Sequence, residues 1–316
     1  MFDPKVLLSN FNRLAQEIEE RCGIDCVGLS FHPMRIIDSK KFLGMLEEEK
    51  IMVNDIDIPD IVNFFDRRMI NEFLRKQAIS SFISRMKAHI GWRLINYPNI
   101  KELMRNMSYL INNTEITYIR SGIGKTFVKD EEKIIELLNI SSKMKIGFEI
   151  DSFSCKDFFS YLHDILDYKR FLKRENIGIA LDPAHLLQGE AMGLWGDIYN
   201  VLENIRRPVV PGFRHNVFSL DYNPVQILNQ KAFDSKSVDR SEEAMDEVIK
   251  MHCHPDQNVI DYPKYLKKVL EYFPDTLEEI VIEINPADRD NLGDKFFDDV
   301  REMNKVCEEV NREEKY

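Results

Sequence analysis

The chain has 316 residues, 44% of them hydrophobic and 31% charged, with a formal net charge of −11. That size and composition allow a sizeable core, and the acidic balance excludes whole-protein attraction to nucleic acid or anionic membranes while leaving room for a local basic groove. The five cysteines (Cys22, Cys26, Cys155, Cys253, Cys307) are scattered, no apolar run approaches the ~20 residues of a membrane span, and the acid-bearing N-terminal stretch has no cleavage-type site, so reduced thiols and a cytoplasmic location are expected.

Residues 4–22 read as an opening helix, with apolar positions at Val6, Leu7, Phe11, Leu14 and Ile18 and a stop at Gly23. Cys22 and Cys26 flank that glycine with no second pair to complete a zinc knuckle. Short apolar runs then alternate with amphipathic stretches. The strand-like runs are 24–31, 50–57, 82–89, 115–120, 145–150, 177–182, 207–215 and 279–284, and helical patterns occupy 60–78, 100–111, 130–140, 156–174, 196–206 and 262–274. Alternation of this kind predicts βα units on a parallel sheet. Eight units predict an α/β chain closed as a (β/α)8 TIM barrel, a single domain over 1–316. The seventh strand has two readings, because Pro211 suits a central strand poorly and the run 248–254 is more apolar. Residues 216–250 exceed a compact connection and read as an insertion or lid on the C-terminal face, after strand seven.

Three apolar runs stop on an acid: Lys145 to Glu149, Ile177 to Asp182, and Ile280 to Glu283. One such carboxylate is readily a helix cap or an ion-pair partner. Three converging on one barrel mouth would repel one another, and a bound cation neutralises them most simply. Asp182-Pro-Ala-His185 adds an imidazole three residues beyond an acid. His215 follows Asp182 by 33 residues, as Asp182 follows Glu149, which suggests the ends of strands five, six and seven. His252-Cys253-His254, followed by Asp256, offers two more imidazoles. Carboxylate with imidazole suits zinc, manganese or another first-row cation. His32 and His163 read as surface or hydrogen-bonded residues.

This ordered set resembles the xylose-isomerase-like barrels, and within them the endonuclease IV type of abasic-site endonuclease. The resemblance spans about residues 82–286 and rests on Glu149, Asp182 with His185, His215, His252 to His254, Glu283 in Glu-Ile-Asn-Pro286, and His89 ahead of Leu94-Ile95-Asn96. Two departures stand out. The strand-four run, Tyr118-Ile-Arg120-Ser-Gly122, has no histidine, and His252 stands where the family has Asp.

The resemblance implies a divalent-metal phosphodiesterase acting on DNA with a damaged site, with one to three Zn²⁺ or Mn²⁺ ions. Glu149 would bridge metals, with Glu283 beside it as the second catalytic carboxylate. Asp182, His215 and Glu283 would complete one centre, His185 with His252 or His254 another, and His89 a third. The alternative is a sugar isomerase or epimerase of the same superfamily, in which four ligands suffice and Glu149 and Glu283 shuttle a proton. A barrel retained for binding or scaffolding is the third reading, and no obligate protein partner is implied. Gly122-Ile-Gly124-Lys125-Thr126 fails as a phosphate loop because Ile119 stands where a glycine is required. Arg120 and Lys125 still qualify as phosphate holders at a barrel mouth, as does Arg214 with Arg206 and Arg207 near the expected strand seven. A late His-x-His does not match the amidohydrolase barrels, where that motif ends the first strand.

Overall fold

A computed structural model describes residues 4–24, 29–31, 39–51, 53–58, 118–122, 144–150, 152–153, 175–208, 214–283 and 292–313, together with positions 109, 112, 162, 163, 165 and 169. In chain order the elements are α1 (Pro4–Cys22), β1 (Leu29–Phe31), α2 (Ser39–Glu49), β2 (Val53–Ile58), β3 (Tyr118–Gly122), β4 (Lys145–Glu149), β5 (Ile177–Leu181), α3 (Pro183–Ala191), α4 (Ile198–Arg206) and β6 (Val217–Tyr222). They continue with β7 (Val225–Ile227), α5 (Gln230–Asp234), α6 (Glu242–Asp246), β8 (Ile249–Met251), a 3₁₀ turn (Pro255–Gln257), α7 (Tyr262–Tyr272), β9 (Glu279–Ile282) and α8 (Gly293–Glu313). These fall into two compact units, residues 1–29 with 145–316, and residues 30–144. The chain is α/β with parallel strands in both.

In the larger unit, β4, β5, β6 and β9 lie side by side and all parallel. All five residues of β5 and all six of β6 are buried, as strands covered on both faces must be. Register decides where the site forms. Glu149 pairs with Ala180, Leu181 with Leu220, and Tyr222 with Ile282. The four strands therefore finish together, and the residues at their carboxyl ends are Glu149, Asp182, Asn223 and Glu283.

Helices hold this sheet fragment. Leu8, Phe11, Leu14, Ile18 and Cys22 are buried along one stripe of α1, three and four residues apart as an amphipathic helix requires. That stripe meets α8: the Arg21 guanidinium sits 3.7 Å from the Phe297 ring centroid, and the Cys22 thiol donates to the Phe297 carbonyl at 3.4 Å. Chain beginning and chain end are thereby packed together. In the smaller unit β2 and β3 pair in parallel, from Asp55 with Tyr118 to Ile58 with Ser121. Leu43, Met45 and Leu46 of α2 are buried, as are Tyr118 and Arg120 of β3.

Several sequence expectations agree with these elements to within a few residues, among them α1, β4, β5, α4, α7 and β9. The expected strand at 82–89 and helices at 60–78 and 130–140 lie outside the described residues. Strand seven is corrected. It is neither 207–215 nor 248–254 but Val217–Tyr222, inside the stretch read as an insertion. The connection after β6 departs from a simple crossover: β7 and β8 pair antiparallel as a two-stranded ribbon carrying α5 and α6. The run 248–254 contributes β8 to that ribbon. Three described cysteines, Cys22, Cys253 and Cys307, are free thiols. No described helix is long and apolar enough to cross a membrane.

Candidate metal centre

Asp182 ends β5 and begins α3, and its two oxygens divide that work. Oδ1 accepts from the Ala184 amide at 2.7 Å, the N-cap bond that starts the helix. Pro183 follows at the first helical position, where its missing amide costs nothing. Oδ2 accepts from Asn223 Nδ2 at 3.0 Å and faces His185 Nε2 at 3.7 Å. The side chain is fully enclosed, and burial raises its pKa, the His185 imidazole opposing that rise and the Glu283 charge adding to it. The cap and the site share one carboxylate.

One turn into α3, His185 turns back over the strand end. Its Nε2 lies 3.3 Å from Glu149 Oε1, while Nδ1 lies 3.0 Å from Gln188 Oε1. Gln188 Oε1 also accepts from the Ser152 hydroxyl at 3.3 Å. An amide oxygen can only accept, so Nδ1 carries the proton against it. In the neutral ring this leaves the Nε2 lone pair directed at two carboxylates, which is unfavourable without a proton or a cation between them. Ligand atoms of Glu149, Asp182 and His185 all lie within 4.8 Å of one another. The donor set fits a divalent ion, and the imidazole–amide bond is the outer support that metal-bound histidines ordinarily have.

Glu283 joins through Asn223, which is fully buried. Asn223 Nδ2 donates to Asp182 Oδ2 at 3.0 Å and to Glu283 Oε2 at 3.1 Å, so one amide nitrogen separates the two carboxylates. Its Oδ1 accepts from the His252 amide at 3.2 Å. Tyr262 fixes the asparagine backbone, its hydroxyl accepting from Asn223 N at 2.9 Å and donating to Asn223 O at 2.6 Å. Neither Asn223 nor Gln188 was singled out from the sequence. Gln188 carries a signal, standing three residues beyond His185 on the same helix face.

The remaining expected ligands are not gathered here. His215 precedes β6 rather than ending it, which puts it at the opposite end of that strand from Asn223. It is buried, and the loss of water drives its pKa down to about 4, with Lys169 and His163 adding to the fall. The 33-residue spacing misplaced it because register, not chain length, sets where a strand stops. His252 reaches the centre through its backbone amide alone among the described contacts, with an exposed side chain and a left-handed φ of 49°. His254 caps the 3₁₀ turn, its Nδ1 accepting from the Asp256 amide at 3.2 Å. His89 and Lys125 lie outside the described residues. Arg120 is buried within β3 of the smaller unit. Arg214 is exposed and lines, with Arg206, Arg207 and His215, a cavity of about 630 Å³ beside the start of β6. The mouth of β6 thus holds an asparagine where a histidine was expected.

The chain matches no family model and no curated protein. Among solved structures it is similar to a xylose isomerase-like TIM barrel protein from Mycobacterium smegmatis in complex with magnesium, at 8% identity and a TM-score of 0.49 over 93% of this chain and 89% of that one. A D-allulose 3-epimerase from Methylomonas sp. gives 10% identity and a TM-score of 0.46 over 94% and 91%. A sugar phosphate isomerase/epimerase from Parabacteroides distasonis gives 11% and 0.42 over 96% and 91%. Likenesses this distant assign neither a residue's role nor an activity to this chain.

Proposed function

We propose that this chain is a single-domain (β/α)8 enzyme of the xylose-isomerase-like class, a metal-dependent isomerase or epimerase of a small sugar. One observation carries the choice. Among the described residues a single group, Glu149, Asp182 and His185, has metal-binding geometry, whereas a multi-metal phosphodiesterase would draw on His215 as well. With that histidine at the other end of β6, the ligand set shrinks to what one ion needs. A divalent cation, when bound, would be held by Glu149, Asp182 and His185 and would polarise a carbonyl or hydroxyl oxygen of the substrate. Zinc and manganese both suit one imidazole with two carboxylates.

The protein's own groups supply the proton chemistry. Glu283 stands at the carboxyl end of β9 with Oε2 held by Asn223, on the rim of the three-ligand group. In this reading Glu283 takes a proton from a carbon beside the substrate carbonyl. Glu149, at the end of β4, delivers a proton from the other side, a two-carboxylate shuttle of the kind general acid–base catalysis uses, and the two groups exchange roles in the reverse direction. Gln188 holds the His185 ring and Asn223 holds Glu283, so neither need reorganise during the reaction.

The test pairs metal content with turnover. Protein saturated with Mn²⁺ or Zn²⁺ is incubated with a panel of aldoses and ketoses and, separately, with duplex DNA containing an abasic site. One ion per chain and turnover of a sugar are expected. Two or three ions with strand scission would restore the phosphodiesterase, and no bound metal with silence in both assays would leave a binding or scaffold protein.

A further inference from the structure

The residue at the carboxyl end of β6 is an asparagine, and its three side-chain hydrogen bonds tie it to groups 29 to 60 positions away in sequence. One amide hydrogen goes to Asp182 and the other to Glu283, at 3.0 and 3.1 Å. The oxygen takes the His252 amide at 3.2 Å. Neither end can be swapped. An aspartate in its place would offer acceptors to two acceptors, and a flipped amide would turn its oxygen on both carboxylates and its NH₂ on a donor. The neighbours therefore fix its orientation.

We infer that Asn223 is the positioning residue of the metal centre: it keeps Glu283 beside the three-ligand group as a base, aims Asp182 toward His185, and ties both to the ribbon after β6. The inference rests on the metal-dependent reading above. Three physical points support it. First, two carboxylates on one edge repel unless a donor or cation stands between them, and Asn223 is a neutral donor that leaves their charge available to a metal. Second, a fully buried side chain gripped through its backbone by Tyr262 at 2.9 and 2.6 Å has no freedom to move aside. Third, the ribbon is anchored on the same short stretch. Cys253 N donates to Pro224 O at 3.0 Å, and Val225 N donates to Asn258 Oδ1 at 3.2 Å. Ribbon and metal centre thus share a support, and disturbing one is felt by the other.

Two substitutions separate the halves of this role in the full chain. Asn223→Leu removes every side-chain bond while keeping the number and branching of side-chain heavy atoms. Asn223→Asp keeps an acceptor for His252 and removes the donor to both carboxylates. Mn²⁺ binding is measured by calorimetry, its coordination by electron paramagnetic resonance, and the His252 amide by NMR hydrogen exchange. Asn223→Leu is expected to lose roughly 10- to 100-fold in Mn²⁺ affinity, the range typical of groups that orient ligands, with an altered resonance spectrum and faster His252 exchange. Asn223→Asp should alter the spectrum while His252 exchange stays as in the wild type. Wild-type affinity and spectrum in both variants, with the wild type itself binding Mn²⁺, would overturn the inference and leave the metal reading intact. Failure of the wild type to bind Mn²⁺ would overturn both.

Discussion

His185 and Gln188 are joined through Nδ1 and Oε1 at 3.0 Å, one turn apart on α3. The bond fixes which ring nitrogen faces Glu149 and Asp182. Gln188→Leu should therefore keep the helix yet weaken divalent-metal binding by about 10-fold or more. Gln188→Glu should retain affinity, because a carboxylate still accepts from Nδ1. Calorimetric titration of the two variants against wild type decides it, and equal affinities for all three would remove Gln188 from the centre.

Turnover should respond most to the strand-end acids. Glu149→Gln removes a ligand charge and is expected to lower both Mn²⁺ affinity and sugar turnover by at least 100-fold. Glu283→Gln, on the rim, should lower turnover by a similar factor while leaving Mn²⁺ affinity within a few-fold. That contrast tests the division between ligand and base. Equal loss of metal affinity in both variants would make Glu283 a ligand instead.

The acid limb of stability should carry a contribution from His215. Its pKa falls from 6.5 to about 4 in the folded protein because burial excludes the charged ring. The unfolded chain thus binds a proton that the folded chain refuses. Stability from this group is fully present above about pH 6.5 and is lost as the pH falls toward 4, a difference of about 3 kcal/mol for a shift of this size. Urea denaturation of wild type and His215→Phe between pH 4 and 7.5 measures it, and the variant should show a shallower decline. Parallel pH dependences would mean that the ring is not protonated on unfolding.

How much of this was legible in the chain depends on which force decides each feature. β4, β5 and β9 could be read because Ile, Val, Phe and Leu dominate runs that end on acids, a pattern local in sequence. β6 was missed because Val217-Phe-Ser-Leu-Asp-Tyr222 mixes Ser219 and Asp221 into a strand buried throughout. Polar residues at those positions read as loop, and only neighbours on both sides, β5 and β9, make them interior. His215 fell with that error, since its assignment depended on a repeat of 33 residues. Asp182 with His185 was legible because helix geometry alone brings them together. Asn223 was not, because each of its partners comes from another element.

Helix α3 should be sensitive at Gly189, which has no side chain for a reason. A Cβ there would stand 1.8 Å from the Trp195 ring, and Trp195 Nε1 donates to Leu186 O at 2.7 Å. Gly189→Ala must push the indole away and break that bond. A loss of about 1–3 kcal/mol is expected, the usual cost of overpacking, with a shift in Trp fluorescence. Metal affinity should fall as well, because His185 rides on the same helix. An unchanged emission maximum and midpoint would show that the ring accommodates the methyl group.

Asp182 serves two masters, and one substitution separates them. Asn caps helices about as well as Asp, so Asp182→Asn retains the bond from the Ala184 amide that starts α3. It removes the charge that Oδ2 presents to His185 and sets an NH₂ against the Asn223 amide from which Oδ2 accepted. In the metal-free protein that charge is a burden: the group is buried, its pKa is raised mainly by desolvation, and the neighbouring Glu283 adds repulsion. In the metal-free variant the relief of the buried charge and the loss of the Asn223 bond oppose each other, so its stability should stay within about 1 kcal/mol of wild type. Saturating Mn²⁺ should then separate the two. Wild type gains stability by binding the ion only in the folded state, about 2.7 kcal/mol at a concentration 100-fold above its Kd, while the variant gains little. Asp182→Ala removes cap and charge together and should be the less stable variant by about 1 kcal/mol. Thermal melts of the three proteins with and without Mn²⁺ read all of this at once. If Mn²⁺ raises the melting temperature of Asp182→Asn as much as that of wild type, Asp182 is a helix cap and the metal centre does not include it.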